Sequence, residues 1–389
     1  MALGPVATPV LYFSTFHLGL DGGIAITGSH NSAAFNGFKI MLGGRPLRAD
    51  EIQQIARMSH YQDFMTGAGW TRPVSVTSSY LDRIIQDAPR PLGFQVVVDS
   101  AHGMAGPLAG ELLRRLGCKV VELHAEPDGR FPNHPPDPTV PAHLEKLITA
   151  VVENGALVGL AFDGDADRLA AVDGTGRIIT GEDLLLLFAR QVALAKPGAA
   201  IVADVTATRK LEGCIAQWGG TIVRSRTGRN MIHPKMDEVG ATLGGESSGH
   251  FFFRDRYYGF DDAMYAANRL LCLLAQTEKT PQRLLAELPQ SFMSPIIRIH
   301  CPDSAKWDAL ETIRKQFGAE MKAIVGIDGV EFERKGGWGI IRVSNTEPAL
   351  VLRFEADSKE TLELLQHAVQ PMVQEIASRY TTVQSKEMT

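Results

Sequence analysis

Residues 162–168 read F-D-G-D-A-D-R and close the apolar run V-G-L-A-F at 158–162. Asp163, Asp165 and Asp167 alternate at i, i+2 and i+4, so three carboxylates on one turn can converge on a single hard cation. An EF-hand loop would need glycine at its sixth position and glutamate at its twelfth. This chain has Arg168 and Gly174 there, which excludes that reading. A solvated acidic turn is the plain alternative, and the buried-looking strand in front of it argues against that. Mg²⁺ rarely has an all-protein cage and completes its shell with water or phosphate oxygen, so the trio invites a phosphate as its next ligand.

A candidate carrier of that phosphate stands in A-I-T-G-S-H-N-S at 25–32. Phosphorylated Ser29, beside His30 and Asn31, would bring nearly two negative charges at neutral pH. A Mg²⁺ ion would neutralise part of that charge and activate the phosphorus for transfer. Read alone, S-H-N is equally an ordinary turn. A haloacid-dehalogenase-type D-x-D site would instead use its first aspartate as nucleophile and leave the Ser29 loop without a role. Two further loops are rich in polar groups. In G-G-E-S-S-G-H (244–250), Glu246, Ser248 and His250 suit vicinal sugar hydroxyls, with a polar turn as the competing reading. In G-I-I-R-V-S-N-T-E-P (339–348), Arg342, Ser344, Asn345 and Thr346 offer a guanidinium fork and short donors for a phosphate monoester.

The elements that must hold these loops are legible in outline. Runs 93–100, 118–123, 158–162, 199–205 and 221–225 read as strands, and 101–117, 181–195 and 208–220 as the amphipathic, helical stretches between them, which implies right-handed βαβ crossovers in layered α/β domains. The last hundred residues differ. A strand at 294–301, a helix at 303–317 and strand-like runs V-E-F-E-R-K, G-I-I-R-V-S-N and A-L-V-L-R-F-E-A-D predict an α+β domain with a meander sheet. Its final helix carries Leu362, Leu365, Val369, Met372 and Ile376 on one face and opens with a capping-box pattern, Asp357-x-x-Glu360. The proline-rich stretch 128–143 predicts a surface loop.

With 389 residues, 44% apolar and 21% charged, the chain is long enough for two to four domains with ample core. A net charge of −5 offers no nucleic-acid-binding field, so an anionic substrate must be gripped by local basic groups. Cys118, Cys214, Cys272 and Cys301 form no C-x-x-C pair, which predicts reduced thiols. No apolar run approaches the roughly 18 residues of a membrane span. The opening M-A-L-G-P-V-A-T-P-V has no signal-peptide pattern, and a cytoplasmic enzyme is expected.

The four loops, in this order, resemble the α-D-phosphohexomutase superfamily, in particular the bacterial phosphomannomutase/phosphoglucomutase type. T-P at 8–9, N-G-F-K at 36–39, Y-Y-G-F-D-D-A-M-Y-A-A-N-R-L-L at 257–271 and L-R-F-E-A-D at 352–357 extend the likeness over nearly the whole chain. The resemblance implies three α/β domains with mixed sheets, the first incomplete, and a C-terminal α+β domain, arranged around a central active-site cleft. The expected divisions are 1–74, 75–177, 178–290 and 291–389. It further implies Ser29 as phosphoserine with His30 and Lys39 close by, and Mg²⁺ held by Asp163, Asp165, Asp167 and the serine phosphate. Arg168 would face the substrate, Glu246, Ser248 and His250 would bind sugar hydroxyls, and Arg342, Ser344, Asn345 and Thr346 would grip the non-reacting phosphate.

The implied reaction interconverts hexose 6-phosphate and hexose 1-phosphate, of mannose or glucose, through a bound hexose 1,6-bisphosphate. Partners would be small sugar phosphates, without nucleic acid or membrane; a monomer is expected, with a dimer as the alternative. Relatives of this type carry several dozen more residues before the serine loop, so an uncovered edge or exposed core is expected in the first domain. They also have proline at position 32, lysine at 206 and histidine at 229, where this chain has Ser32, Thr206 and Arg229. Arginine cannot serve as acid or base at neutral pH, so the general acid and base stay unassigned. A binding-only paralogue, a leaky phosphatase and a phosphoglucosamine mutase are the alternatives. G-E-S-S-G-H favours the mannose/glucose type over the last of these.

Overall fold

The computed structural model describes residues 1–88, 91–317, 321–344 and 347–387. It divides into two compact units, one of residues 1–224 with 228–288, the other of residues 225–227 with 289–389. Asn345 and Thr346 lie outside the described residues.

The larger unit holds three sheets. The first is a small antiparallel sheet of β1 (Gly22–Ile26), β2 (Phe38–Leu42) and β3 (Arg45–Pro46), preceded by a helix at Thr8–His17 that the sequence reading did not identify. The second contains β4 (Gln95–Asp99), β5 (Lys119–Leu123), β6 (Val158–Phe162), β7 (Leu169–Asp173) and β8 (Ile178–Ile179) in the order β5-β4-β6-β7-β8. Its first three strands are parallel and its last two pairings antiparallel, so it is mixed as expected. The third sheet joins β9 (Ala200–Asp204), β10 (Thr221–Ser225), β11 (Leu243–Gly245) and β12 (Phe251–Phe253) in the order β10-β9-β11-β12. It too mixes a parallel β9–β11 pair with an antiparallel β11–β12 pair.

One strand register matters most for the site. In the β1–β2 pair, Ala25 opposes Lys39 and Gly23 opposes Met41. That face packs on the first helix: Met41 is buried, and a Cβ on Gly23 would meet Leu11 Cδ1 at 3.1 Å. The other face presents Ile24, Ile26, Phe38 and Leu42 outward, with Ile26 68% and Phe38 71% exposed. The helix Ala49–Tyr61 likewise buries none of its residues. Contiguous apolar exposure of this kind is uncommon on a folded surface.

One continuous core runs through the larger unit, from Tyr12 and Phe13 through Tyr80 and Phe188 to Phe260 and Leu271. A buried carboxylate fastens its middle. Asp262 accepts from Tyr80 Oη at 2.9 Å, Tyr257 Oη at 2.8 Å and Tyr265 N at 2.9 Å, tying the helix Thr77–Ile85 to the helix Ala263–Thr277. The four cysteines are buried and free.

The smaller unit is an antiparallel sheet of β13 (Phe292–Met293), β14 (Ile297–His300), β15 (Lys322–Gly326), β16 (Gly329–Arg334), β17 (Gly337–Val343) and β18 (Ala349–Ala356). β15 to β18 pair in chain order, the expected meander, and β15 extends it by a strand the sequence reading lacked. Helices Lys306–Gln316 and Lys359–Glu387 cover one face. The expected Asp357 cap is displaced by one residue. The Asp357 N–H is engaged by Gly336 O at 2.9 Å beyond the β17–β18 ladder, so Ser358 caps instead, accepting from Thr361 N at 3.1 Å.

Replacing Ile26 or Phe38 by threonine should shift unfolding free energy by less than about 0.5 kcal/mol while lowering the binding of a dye that reports exposed apolar surface. A core-sized loss in chemical denaturation would mean that this face is covered.

Candidate active site

The acidic turn sits between two antiparallel neighbours, β6 and β7, which enter and leave it fully buried. Its geometry is self-supporting: Asp163 Oδ1 accepts from the backbone N–H of Asp167 at 3.0 Å and of Arg168 at 3.1 Å. Ala166 takes a left-handed backbone (φ 64°) to complete the turn. One oxygen of each of Asp163, Asp165 and Asp167 lies within 4.8 Å of the other two, and all three residues are buried.

So much buried negative charge needs a cation. Lys39 supplies one: its Nζ is 2.7 Å from Asp165 Oδ2 and also pairs with Asp167 Oδ2. Burial opposes the ammonium charge, but Asp165 and Asp167 outweigh it and hold Lys39 protonated well above its usual range. Burial, together with the charges of Asp167 and Asp165, pushes the Asp163 carboxyl up. Two buried acceptors, Asp165 Oδ1 and Asp167 Oδ1, have no hydrogen-bond partner among the described residues. An all-oxygen set with orphaned buried lone pairs fits a hard divalent ion.

Ser29 follows β1 in a left-handed conformation (φ 52°), its N–H bonded to Thr27 Oγ1 at 2.8 Å. Its Oγ donates to Asp163 Oδ2 at 3.0 Å and lies 3.3 Å from His30 Nδ1. Gly164 makes this approach sterically feasible, since a Cβ there would stand 2.3 Å from Ser29 O. Thr8 was given no role from sequence. Its hydroxyl donates to Asp165 Oδ2 at 2.6 Å and its N–H to Asp165 O at 3.0 Å, so the T-P pair at the first helix's start fixes the middle carboxylate.

The loop 244–250 joins the same network. His250 Nδ1 lies 2.8 Å from Ser248 Oγ and 3.0 Å from Glu246 Oε2, while Nε2 lies 3.4 Å from Asp167 Oδ1 and 3.3 Å from Arg168 Nε. Glu246 Oε1 accepts from Gly228 N at 2.5 Å. Burial disfavours an imidazolium at 250, but Asp167 overrides it and raises its pKa to about 10. His30 goes the other way: burial and then Arg168 lower it to about 4, leaving a neutral ring beside the serine.

The divergent positions lie in the same unit. Thr206 bonds Asp204 Oδ2 and sits 2.7 Å from Ser247 Oγ, inside the 244–250 loop's support. Arg229 lies over the Tyr12 ring at 5.0 Å, and the charges of Asp261 and Glu246 partly offset the cost of its burial. Asp261, which sequence reasoning did not single out, has a buried Oδ2 without a hydrogen-bond partner among the described residues and groups with Asp167 and His250. Arg342 and Ser344 belong to the smaller unit. Arg342 Nε donates to Asp328 Oδ2 at 2.9 Å, and Ser344 Oγ accepts from Glu347 N at 3.1 Å.

Serine, acidic and Glu-x-Ser-x-His loops carried by successive α/β sheets, with an Arg-bearing turn on a separate α+β unit, define the α-D-phosphohexomutase class. Family descriptions for phosphoglucomutase/phosphomannomutase match along the chain: alpha/beta/alpha domain I at residues 1–65, domain II at 78–176, domain III at 180–292 and the C-terminal domain at 296–371. A Pseudomonas putida phosphomannomutase/phosphoglucomutase is 42% identical over 93% of this chain and 78% of its own length. A Neisseria gonorrhoeae phosphoglucomutase is 39% identical over 96% of this chain and 82% of its own. The crystal structure of a phosphoglucomutase/phosphomannomutase family protein from Burkholderia thailandensis superposes with a TM-score of 0.86 at 38% identity, over 96% of this chain and 82% of that one. The chain belongs to the phosphoglucomutase/phosphomannomutase family, and it is a mutase.

Adding Mg²⁺ should raise the unfolding temperature as the ion loads the trio, and chelation should reverse the rise. Asp167→Asn should weaken that response at least about tenfold in Mg²⁺ concentration. In the metal-free protein, the neutral His30 contributes stability that is full above pH 6.5 and lost as pH falls towards 4. The charged His250 contributes stability that is full below pH 6.5 and lost as pH rises through about 10. Urea midpoints across this range should fall at both ends, His30→Gln flattening only the acid limb and His250→Gln only the alkaline one.

Proposed function

We propose that this mutase interconverts hexose 6-phosphates and hexose 1-phosphates of mannose and glucose, with Ser29 as the phosphoryl carrier and a hexose 1,6-bisphosphate as the bound intermediate. The observation that carries the reading is the Ser29 hydroxyl 3.0 Å from Asp163, at the rim of a carboxylate trio suited to a divalent ion. Asp163, Asp165, Asp167 and the serine phosphate would hold Mg²⁺, which supplies charge neutralisation on the transferring phosphoryl group.

The chain's own residues divide the remaining work. Phosphoryl transfer breaks the bond between phosphorus and Ser29 Oγ and forms one to a sugar hydroxyl, whose proton must leave as the serine oxygen regains one. The neutral His30 ring, 3.3 Å from Ser29 Oγ, is suited to handle that proton. Arg168, next to Asp163 and His250, places a fixed positive charge where the phosphoryl group passes. Glu246, Ser248 and His250 hold sugar hydroxyls. Arg342, with Ser344, Asn345 and Thr346, takes the phosphate that is not reacting, so the same grip serves whichever end of the bisphosphate is presented. Domain divisions at 1–74, 75–177, 178–290 and 291–389, each carrying one of the four loops, belong to the same reading, as do a cytoplasmic location and a monomer.

The test is turnover of mannose 1-phosphate or glucose 1-phosphate with Mg²⁺ and a trace of the matching 1,6-bisphosphate. Appearance of the 6-phosphate supports the reading. Free phosphate instead, or binding without product, would replace it with a leaky phosphatase or a binding protein. Ser29→Ala should cut turnover by about a thousandfold or more with binding largely kept. Arg342→Ala should raise KM by about ten- to a hundredfold, the loss of charge-assisted bonds to phosphate.

A further inference from the structure

A second cluster of ligand-type side chains lies in the second sheet, away from the acidic turn. Asp99 ends β4 and His124 follows β5, and because the two strands are adjacent and parallel their carboxyl ends come out side by side. The carboxyl edge of such a sheet is where α/β folds hold ligands. His134 reaches the same point from the proline-rich segment. His124 Nδ1 is 2.9 Å from Asp99 Oδ1, and His134 Nε2 is 3.2 Å from Asp99 Oδ2. One ligand atom from each of the three residues lies within 4.8 Å of the others.

We propose that Asp99, His124 and His134 form a zinc site, distinct from the acidic trio, that pins the segment after β5 to the carboxyl edge of the second sheet. Ligand atoms around a tetrahedral zinc with bonds of about 2.0–2.1 Å stand roughly 3.3 Å apart; the histidines meet separate oxygens of Asp99 at 2.9 and 3.2 Å, so a small shift of the rings would admit the ion. The hydrogen bonding points the same way. His134 Nδ1 is 2.9 Å from Pro135 O, an atom that only accepts, so Nδ1 carries the proton. Nε2 faces a carboxylate oxygen, which also only accepts, so in the absence of metal it donates a second proton there; a zinc ion would take the place of that proton. A ligating histidine whose far nitrogen donates to a backbone carbonyl is the usual outer-sphere arrangement of a metal site.

The neighbours support the same assembly. His102 uses both nitrogens, Nδ1 with Glu126 O at 2.8 Å and Nε2 with Asn133 Nδ2 at 2.7 Å, and so holds the residue before His134. Asp99 is almost fully buried, while His124 and His134 keep 11% and 13% of their side chains exposed, which leaves an ion a way in. Two imidazoles and one carboxylate suit zinc, whereas the all-carboxylate trio suits magnesium, so one unit offers two chemically distinct sites. The segment pinned in this way carries Pro136, whose Cγ lies 3.4 Å from where a Gly164 Cβ would be, directly against the acidic turn.

Zinc titration by calorimetry in excess Mg²⁺, which occupies the acidic trio, tests this on the full chain. One equivalent of Zn²⁺ should bind, weakened at least tenfold in His124→Asn and in His134→Asn but retained in Asp163→Asn. Cobalt in place of zinc should give the intense visible bands of a four-coordinate site in the wild-type protein, a readout that needs no variant. Absence of zinc uptake, uptake undiminished in both histidine variants, or a weak six-coordinate cobalt spectrum would each overturn the proposal. A proton shared by Asp99 and His134 would then account for the cluster.

Discussion

The larger unit depends on how it neutralises three carboxylates that it has taken out of water. Burying Asp163, Asp165 and Asp167 together costs several kcal/mol per charge unless each finds a partner. The chain meets that cost from several elements at once: Lys39 from β2, Thr8 from the first helix, backbone amides of the turn itself and His250 from the third sheet's loop. The same contacts that make the acidic turn tolerable therefore bring the first and third sheets onto the second.

His250 is the second hinge of this electrostatic arrangement. Its ring joins Asp167 on one side to Glu246 and Ser248 on the other, so the acidic turn and the 244–250 loop are in direct electrical contact. Arg168 adds a second positive charge at the same junction. Opposite protonation of two histidines in one unit, His30 neutral and His250 charged, follows from their surroundings: burial and then the Arg168 charge keep His30 neutral, whereas at His250 the carboxylates of Asp167 and Glu246 outweigh both. One fold thereby keeps a proton acceptor and a fixed cation ready at the same pH.

Local chemistry and periodicity made most of this legible in the sequence. V-G-L-A-F ahead of D-G-D-A-D-R announced a buried strand ending in three clustered carboxylates, and the helix 181–195 and strands 158–162 and 221–225 stand where periodicity put them. The helix Thr8–His17 escaped because it is almost entirely buried along its first two turns and so has little amphipathic contrast. The roles of Thr8 and Asp261 were hidden for a different reason. Their partners stand far away in sequence, Asp165 in one case and the Arg229, Asp167 and His250 surroundings in the other, and no spacing rule reaches that distance. The capping residue was misplaced by one because the β17–β18 hairpin claims the Asp357 amide, a tertiary contact that outranks a local motif.

The β1–β2 hairpin carries two messages on opposite faces of one ribbon: an oily stripe outward, and inward the lysine that serves the carboxylates. Strand side chains alternate strictly, so inserting or deleting a single residue within Phe38–Leu42 would invert the ribbon. The ammonium would then swing to solvent as Phe38 or Ile40 turned against the acids. Because the outward stripe has so little packed on it, few core contacts resist such a slip, and the charge pairing of Lys39 itself becomes the main guardian of the hairpin's alignment.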